Sequence, residues 1–216
     1  MSPPGALRVV LADDHTMVRE ALARILAEEA DIRVVAQAAD GAEVEAAVER
    51  TEPDVLVLDY SMPRHDPPQA IASLLEQHGE LKILVLTVHE NIHYALRVLE
   101  SGAHGYLIKS AAAEELVEAI RQVRAGRIYL SASIEQEVLQ RLRRPRGQRS
   151  GLDALSPREF TFLRMLGSGR PLQECAREMG IGVSTASTYR ARIMEKLELA
   201  STAELIRYAL EHDLAG

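Results

Sequence analysis

The first 125 residues alternate short apolar runs with amphipathic segments, and this alternation limits the possible folds more than any other feature of the chain. Five runs rich in Val, Ile and Leu fit β-strands, at residues 7–11, 32–36, 55–58, 83–86 and 106–108. Five further segments have helical periodicity, at residues 15–30, 41–51, 68–78, 91–101 and 112–125. Because the strand runs are apolar at consecutive positions, both faces of each strand are expected to be covered. The pattern predicts a doubly wound, five-stranded parallel α/β sheet.

Beyond Gly126 the pattern becomes helical. Residues 131–142 fit one more helix, and the basic stretch 141–151, with its Pro and Gly residues, has the composition of a linker. Residues 156–213 show helical patterns only, beginning with the N-cap, first-turn Pro and acidic third residue of Ser156-Pro157-Arg158-Glu159. We therefore expect an α/β domain at 6–125, a helical and basic linker at 126–150, and a small all-α domain at 151–216.

The composition is that of a globular protein without membrane or extracellular features. Hydrophobic residues make up 47% of the chain and charged residues 26%, and no apolar run approaches the ~18 residues needed to span a bilayer. The N-terminus has no basic region followed by an apolar stretch, so we expect no signal peptide. Cys175 is the only cysteine, which excludes an intramolecular disulfide and a cysteine-based zinc cluster. We expect a cytoplasmic protein that does not contact membranes.

The net charge of −7 is unevenly distributed along the chain. Residues 1–126 carry 11 Lys and Arg against 21 Asp and Glu, whereas residues 127–216 carry 14 against 11. Phosphate repulsion makes the acidic first part an unfavourable partner for nucleic acid. The second part permits DNA binding but does not indicate it by charge alone.

Five polar residues follow strands of the predicted sheet. Asp13 and Asp14 follow the first strand, Asp59 the third, Thr87 the fourth and Lys109 the fifth. Because the carboxyl ends of parallel strands meet at one edge, where such sheets bind ligands, these side chains are expected to converge. A single Asp after a strand is usually a helix cap or a turn residue, but caps do not explain a set of five.

The predicted cluster has the chemistry of a phosphoryl-transfer site. Three converging carboxylates repel each other unless a cation neutralises them, and Mg²⁺ suits a site with a few carboxylates and retained waters. An Asp beside the metal can act as a nucleophile towards a phosphoryl group. A Lys and a hydroxyl can then hold the phosphoryl oxygens.

The motifs around these residues resemble the receiver domain of response regulators, which has a flavodoxin-like fold. The resemblance covers about residues 6–125 and rests on Leu11-Ala12-Asp13-Asp14-His15, Val57-Leu58-Asp59-Tyr60-Ser61-Met62-Pro63, Leu86-Thr87 and Gly105-Tyr106-Leu107-Ile108-Lys109. The loop 64–68 lacks the glycine that is usual in the family, so the resemblance does not predict the shape of the following helix.

The resemblance implies that Asp59 accepts a phosphoryl group from a sensor histidine kinase. It also implies that Asp14, Asp59 and the Ser61 carbonyl bind Mg²⁺, with Asp13 binding it directly or through water. Thr87 and Lys109 would contact the phosphoryl group. Tyr106 would be the aromatic residue whose rotation reports phosphorylation, although simple packing of a strand aromatic explains it as well.

Residues 155–213 resemble the LuxR/FixJ-type (NarL) helix-turn-helix output domain. The resemblance rests on Leu155-Ser156-Pro157-Arg158-Glu159, Cys175-Ala176, Lys196-Leu197 and the stretch from Ile181 to Arg190. It implies that helix 183–197 is a recognition helix in the DNA major groove. On a helical wheel, one arc is apolar and should face inward, namely Val183, Ala186, Ile193, Met194 and Leu197.

The opposite arc of this helix is the candidate DNA surface. The candidate DNA contacts are Ser184, Thr185, Ser187, Thr188, Arg190, Ala191, Arg192 and Lys196. Small polar side chains with one Arg can approach base edges closely; Lys196 fits a phosphate contact, and Arg190 fits a phosphate contact or an ion pair with an acid. An ordinary solvated helix face is the simpler alternative. With Ser184 and Ala191 both short, we expect weak binding by one domain and therefore a homodimer on two half-sites.

Taken together, these features predict a phosphorylation-switched transcription factor rather than an enzyme. Three alternatives remain to be tested against the structure. His89-Glu90-Asn91-Ile92-His93 fits the zinc-protease pattern, but His89 is expected in a loop. An aspartate-nucleophile phosphohydrolase of the haloacid-dehalogenase type would carry its nucleophile after the first strand, whereas Asp59 follows the third. A receiver that acts as a phosphate-independent scaffold would keep the fold without the chemistry.

Overall fold

The computed structural model describes residues 5–62, 67–143, 151–212 and 214 of the 216-residue chain. These residues divide into two compact units, at 1–139 and 140–216. The predicted linker residues 144–150, the loop residues 63–66, and residue 213 at the end of the predicted helical region 156–213 lie outside the described residues. Among the described residues, no helix has both the length and the apolar character needed to cross a bilayer.

The first unit contains a parallel sheet of six strands in the order β2-β1-β3-β4-β5-β6. The strands are β1 Leu7–Ala12, β2 Ile32–Ala38, β3 Val55–Asp59, β4 Lys82–Thr87, β5 Gly105–Ile108 and β6 Tyr129–Leu130. The doubly wound parallel sheet is confirmed. The predicted number of five strands is wrong, because β6 adds a sixth strand along β5. A strand of two residues shows no periodicity that a sequence pattern could reveal.

Helices cover both faces of the sheet. They are α1 Thr16–Ala27, α2 Gly41–Thr51, α3 Pro67–Gln77, α4 Ile92–Glu100 and α5 Ala112–Arg124. Alternate strand residues such as Val55 and Val57 pack with Leu22 of α1 and Leu116 of α5 in one core cluster. The residues between them point to the other face and are buried too. Burial on both faces explains the continuous apolar runs from which the strands were predicted.

Helix α6, Ala132–Leu142, follows β6 directly and ends in the second unit. Its bounds agree with the predicted helix at 131–142. Within the segment predicted as a helical and basic linker, 126–150, the described residues thus contain strand β6 in addition to the predicted helix.

The second unit consists of helices in its described part. After a short 3₁₀ turn at Gly151–Ala154 come α7 Pro157–Gly167, α8 Leu172–Glu178, α9 Val183–Lys196 and α10 Thr202–Glu211. Phe160, Leu163, Cys175, Ile193 and Leu205 are fully buried and form its core. Cys175 is thus a buried residue of this core.

Helix α7 begins with a complete capping box. The Ser156 hydroxyl accepts a hydrogen bond from the Glu159 backbone N–H, and the Glu159 carboxylate accepts one from the Ser156 backbone N–H at 2.7 Å. We expect Ser156→Ala to destabilise this helix start by about 1 kcal/mol, because one backbone donor loses its partner. Amides of α7 should then exchange several-fold faster in hydrogen-exchange mass spectrometry. Ser156→Asp keeps a capping oxygen and should not change exchange; equal effects of both substitutions would contradict the prediction.

His104 links β4 to β5 through a bond that requires an unprotonated ring nitrogen. Its Nδ1 accepts the backbone N–H of Ile83 at 3.3 Å. Burial, and then the charge of Lys82, lower the pKa of His104. At a pH between the lowered folded pKa and the ordinary value of about 6.5, the unfolded chain binds more protons than the folded one.

The stability of the first unit should therefore fall as the pH is lowered from 7.5 to 5.5. His104→Asn keeps an acceptor oxygen in a position similar to Nδ1 but does not titrate. Thermal unfolding midpoints should decrease more steeply with falling pH in the wild-type protein than in this variant. Parallel pH profiles would show that His104 does not contribute.

Candidate metal centre and nucleic-acid interface

Three carboxylates converge at the carboxyl edge of the sheet. Asp13 and Asp14 lie in the turn after β1, and Asp59 is the last residue of β3, which pairs directly with β1. Ligand atoms of these residues and of His15 all lie within 4.8 Å of one another. Asp13 and Asp59 are buried and Asp14 is half-buried. The structure thus brings together the three carboxylates that the sequence placed at this edge.

Lys109 lies between two of these carboxylates. Its Nζ is 2.7 Å from Asp13 Oδ2 and 2.9 Å from Asp59 Oδ2. Burial raises the pKa of Asp59, an effect that the ammonium group of Lys109 partly offsets. Burial also opposes the charged form of Lys109, but its hydrogen bonds to Asp13 and Asp59 outweigh this and raise its pKa. One cation therefore neutralises only part of the charge of three carboxylates.

The donor set fits a hard divalent cation. Carboxylate oxygens within a few ångströms of one another are the hard ligands that Mg²⁺ prefers, and so small a set of ligands leaves coordination positions for water. His15, which the sequence analysis did not select, places Nδ1 2.8 Å from Asp14 Oδ1 and 3.3 Å from Asp13 Oδ1. Its position directly after Asp14 was the available signal. The Ser61 backbone N–H donates to Asp59 Oδ1 at 3.2 Å; the role of its carbonyl stays a prediction.

Thr87 and Tyr106 are connected through the backbone of His89. The Thr87 hydroxyl oxygen accepts the His89 N–H at 3.0 Å, and the Tyr106 hydroxyl donates to the His89 carbonyl at 2.9 Å. Both side chains are fully buried, and burial raises the pKa of Tyr106. The β4–α4 loop is thus held in one position by the last residue of β4 and by the aromatic side chain of β5.

The outer face of α9 exposes most of the candidate DNA-contact residues, whose role in binding stays a prediction. Exposed side chains on it are Ser184, Thr185, Thr188, Ala191 and Arg192, while Ser187 and Arg190 are half-buried. Ala186 and Ile193 are fully buried and Leu197 is nearly so. The inward orientation predicted for Val183 is wrong, since it is 48% exposed. Val183 is the first residue of the helix, so only part of its surface can face the core.

Two family matches cover most of the chain. Residues 9–121 match the response regulator receiver domain, and residues 153–209 match the bacterial regulatory proteins of the luxR family. The chain belongs to the LuxR family of response regulators. With these two domains it is a transcription regulator of the two-component class, and the family is one of DNA-binding regulators rather than known enzymes.

Curated relatives match this response regulator over nearly its full length. It is 35% identical to the response regulator GacA of Pseudomonas aeruginosa, over 96% of this chain and 97% of that protein. It is 34% identical to the oxygen regulatory protein NreC of Staphylococcus carnosus, over 96% of this chain and 99% of that protein.

Solved structures agree with the fold. A two-component response regulator of the LuxR family from Aurantimonas sp. is 36% identical with a TM-score of 0.60, over 62% of this chain and 96% of that one. RcsB of Salmonella enterica serovar Typhimurium, bound to a promoter in the presence of phosphomimetic BeF3-, has a TM-score of 0.74 at 24% identity, over 94% and 97% of the chains. At that identity the second similarity concerns the fold alone.

The zinc-protease pattern of this regulator does not have the required geometry. His93 is in the first turn of α4, whereas His89 precedes that helix in the loop, as expected. His89 instead stacks on Tyr94 with ring centroids 4.5 Å apart. The two histidines therefore do not share a helical face, which the zinc-protease arrangement needs.

Lys196 has an intradomain partner. Its Nζ lies 2.6 Å from Glu159 Oε2 in the capping box of α7. Burial opposes ionisation of Glu159, but the bonds from Lys196 and Ser156 outweigh it and lower the pKa of Glu159. A DNA phosphate would have to share the Lys196 ammonium group with Glu159 or displace Glu159 from it. The predicted phosphate contact of Lys196 is therefore less favourable than the sequence suggested.

Proposed function

We propose that the chain accepts a phosphoryl group on Asp59 and that this modification controls DNA binding by α9. The observation that carries the proposal is the position of Asp59, the last residue of β3. Its carboxylate lies beside Asp13 and Asp14, and its Oδ2 is 2.9 Å from Lys109 Nζ. A nucleophile, a cation and a carboxylate-rich metal pocket are the parts that phosphoryl transfer requires.

The transfer follows from the positions of these groups. An Asp59 carboxylate oxygen attacks phosphorus, and the bond from phosphorus to the histidine nitrogen of a sensor kinase breaks with its electron pair staying on nitrogen. Lys109 and the Thr87 hydroxyl would hold the phosphoryl oxygens as charge shifts onto them. Mg²⁺, held by Asp13, Asp14, Asp59 and the Ser61 carbonyl, would supply the positive charge that lets an anion approach three carboxylates.

The switch proceeds through Thr87 and Tyr106. When Thr87 turns towards the phosphoryl group, it gives up its bond to the His89 N–H, and the loop held by Tyr106 can repack. Phosphorylation thereby biases an equilibrium between two arrangements of this loop. Rotation of Tyr106 reports the change.

The proposed partners are DNA, a sensor histidine kinase and a second copy of the chain. RcsB was solved on promoter DNA and as dimers on DNA, which supports the same for this chain. The α9 contacts would come from Ser184, Thr185, Ser187, Thr188, Arg190, Ala191, Arg192 and Lys196. Because the side chains of Ser184 and Ala191 are short, each domain makes few contacts, and a dimer on two half-sites would supply the affinity. Because DNA and the kinase's phosphohistidine are both cytoplasmic in this scheme, the proposal includes a cytoplasmic location.

Labelling with a small phosphodonor tests the proposal. The full chain, incubated with Mg²⁺ and ³²P-labelled acetyl phosphate, should take up close to one label per chain, and chelation with EDTA should prevent uptake. When genomic fragments are selected by binding, the labelled protein should recover more DNA, and from fewer sites, than the unlabelled protein. DNA selection without any label uptake would favour a phosphate-independent scaffold. Continuous release of phosphate from small esters would favour the phosphohydrolase alternative.

A further inference from the structure

The segment 129–131 covers the outer edge of β5. Tyr129 N–H donates to the His104 carbonyl and Ser131 N–H to the Tyr106 carbonyl, both at 3.1 Å. Gly105 permits this close approach, because a Cβ there would lie 3.1 Å from the Tyr129 carbonyl oxygen. Strand β6 is therefore paired closely along the strand that carries Tyr106 and leads to Lys109.

The Ser131 side chain extends this pairing to the end of β5. It is 2% exposed, and its hydroxyl oxygen accepts the backbone N–H of Ile108 at 3.0 Å. Glu115 Oε2 lies 3.5 Å from the hydroxyl and accepts the Tyr129 hydroxyl at 2.7 Å. The Ser131 hydroxyl donates to Glu115, and its oxygen therefore has a lone pair with which it accepts the Ile108 N–H.

Ile108 is the residue immediately before Lys109. After it the chain leaves the sheet and turns into the 3₁₀ segment Lys109–Ala111. The Lys109 ammonium must meet Asp13 and Asp59 at the same time, at 2.7 and 2.9 Å. Lys109 is the residue after Ile108, so the anchor at Ile108 sets the backbone position from which the Lys109 side chain reaches both carboxylates.

Ser131 also begins α6. Its carbonyl accepts the backbone N–H groups of Ile134 at 3.0 Å and Glu135 at 3.2 Å. One buried residue thus contacts the end of β5 through its side chain and the first turn of α6 through its backbone.

We propose that Ser131 is a positioning residue for Lys109 and that it couples the first turn of α6 to the phosphoacceptor pocket. The proposal rests on the proposed phosphorylation of Asp59. A displacement of the α6 start moves the hydroxyl that holds Ile108, and so moves Lys109; a change at Lys109 is passed to α6 by the same bond.

The first test compares rates of label uptake from acetyl phosphate in the full chain. Ser131→Ala removes the acceptor and should slow uptake at least about five-fold, whereas Ser131→Thr keeps the hydroxyl and should restore it to within about two-fold. Ser101→Ala is the matched control, since its hydroxyl donates to the Arg97 carbonyl in α4, and it should leave the rate unchanged. If Ser131→Ala does not fold, Ser131→Cys fills the same space with a weaker acceptor and should also slow uptake. An unchanged rate in the folded variant would overturn the proposal.

A double-mutant cycle separates positioning from general loss of structure. If Ser131 acts through Lys109, Ser131→Ala should slow uptake less than two-fold in a Lys109→Met background. If Ser131→Ala slowed uptake by the same factor in the wild-type and the Lys109→Met backgrounds, the proposal would be overturned. Absence of label on the wild-type chain would instead overturn the proposed function itself, whereas normal wild-type labelling with a normal Ser131→Ala rate would overturn only the role of Ser131.

Discussion

Asp59→Asn is expected to reduce phosphoryl uptake to background, at least about 100-fold below wild type. The amide cannot act as the nucleophile, because its lone pair is delocalised and it carries no charge. The substitution nearly preserves volume, and the single oxygen of Asn can still accept a hydrogen bond from either Lys109 or the Ser61 N–H, so the fold should persist. DNA binding should remain at the unphosphorylated level and should not respond to acetyl phosphate.

Asp54→Asn is the matched control for this experiment. Asp54 directly precedes β3 at the opposite end of the strand, where it forms an ion pair with Arg124 at 3.1 Å and accepts the Arg8 N–H at 2.8 Å. The same chemical change there should leave labelling and its effect on DNA binding intact. Label on the Asp59→Asn chain, or phosphate-enhanced DNA binding that survives in it, would refute the switch.

The sheet and its polar edge could be predicted because each depends on short-range signals. Runs such as Val55 to Leu58 are apolar throughout, which indicates strands buried on both faces. Once five such strands are parallel, topology alone brings Asp13, Asp59 and Lys109 together, although 96 residues separate the first from the last. Predicting that these residues converge therefore required no knowledge of individual contacts.

Contacts that depend on one side chain meeting a distant backbone group could not be predicted. Ser131 reaches the N–H of Ile108 across 23 residues, and β6 is too short to show periodicity. The link from Thr87 to Tyr106 through the His89 backbone has no sequence pattern either, since backbone groups are the same in every residue.

A helical wheel could not predict two features of α9, for related reasons. A helical wheel treats all positions as equally covered, but Val183 is at the first turn, where the neighbouring helices cover less of its surface. The wheel also cannot show that Lys196 meets Glu159, which lies 37 residues earlier on α7. Ion pairs between helices depend on how the helices pack, and this packing cannot be read from the sequence pattern of one helix.

Ala191→Glu is expected to weaken DNA binding at least about 100-fold without affecting phosphorylation. Ala191 is exposed on α9, on the face shared with Thr188 and Arg192. A carboxylate there would lie against the phosphates and base edges of the major groove, and like-charge contact in an interface costs several kcal/mol. Glu is a good helix former, so α9 should remain folded.

Ala203→Glu makes the same substitution at an exposed position of α10 in the same unit. It changes the net charge of the domain equally. A loss of DNA affinity that both variants share would therefore result from the overall charge and not from a contact at the recognition face. Binding to a selected genomic fragment, measured by fluorescence anisotropy at fixed salt, should fall strongly for Ala191→Glu and little for Ala203→Glu. Equal affinities of the two variants would mean that α9 does not enter the groove by this face, because a buried carboxylate and a solvated one cannot cost the same.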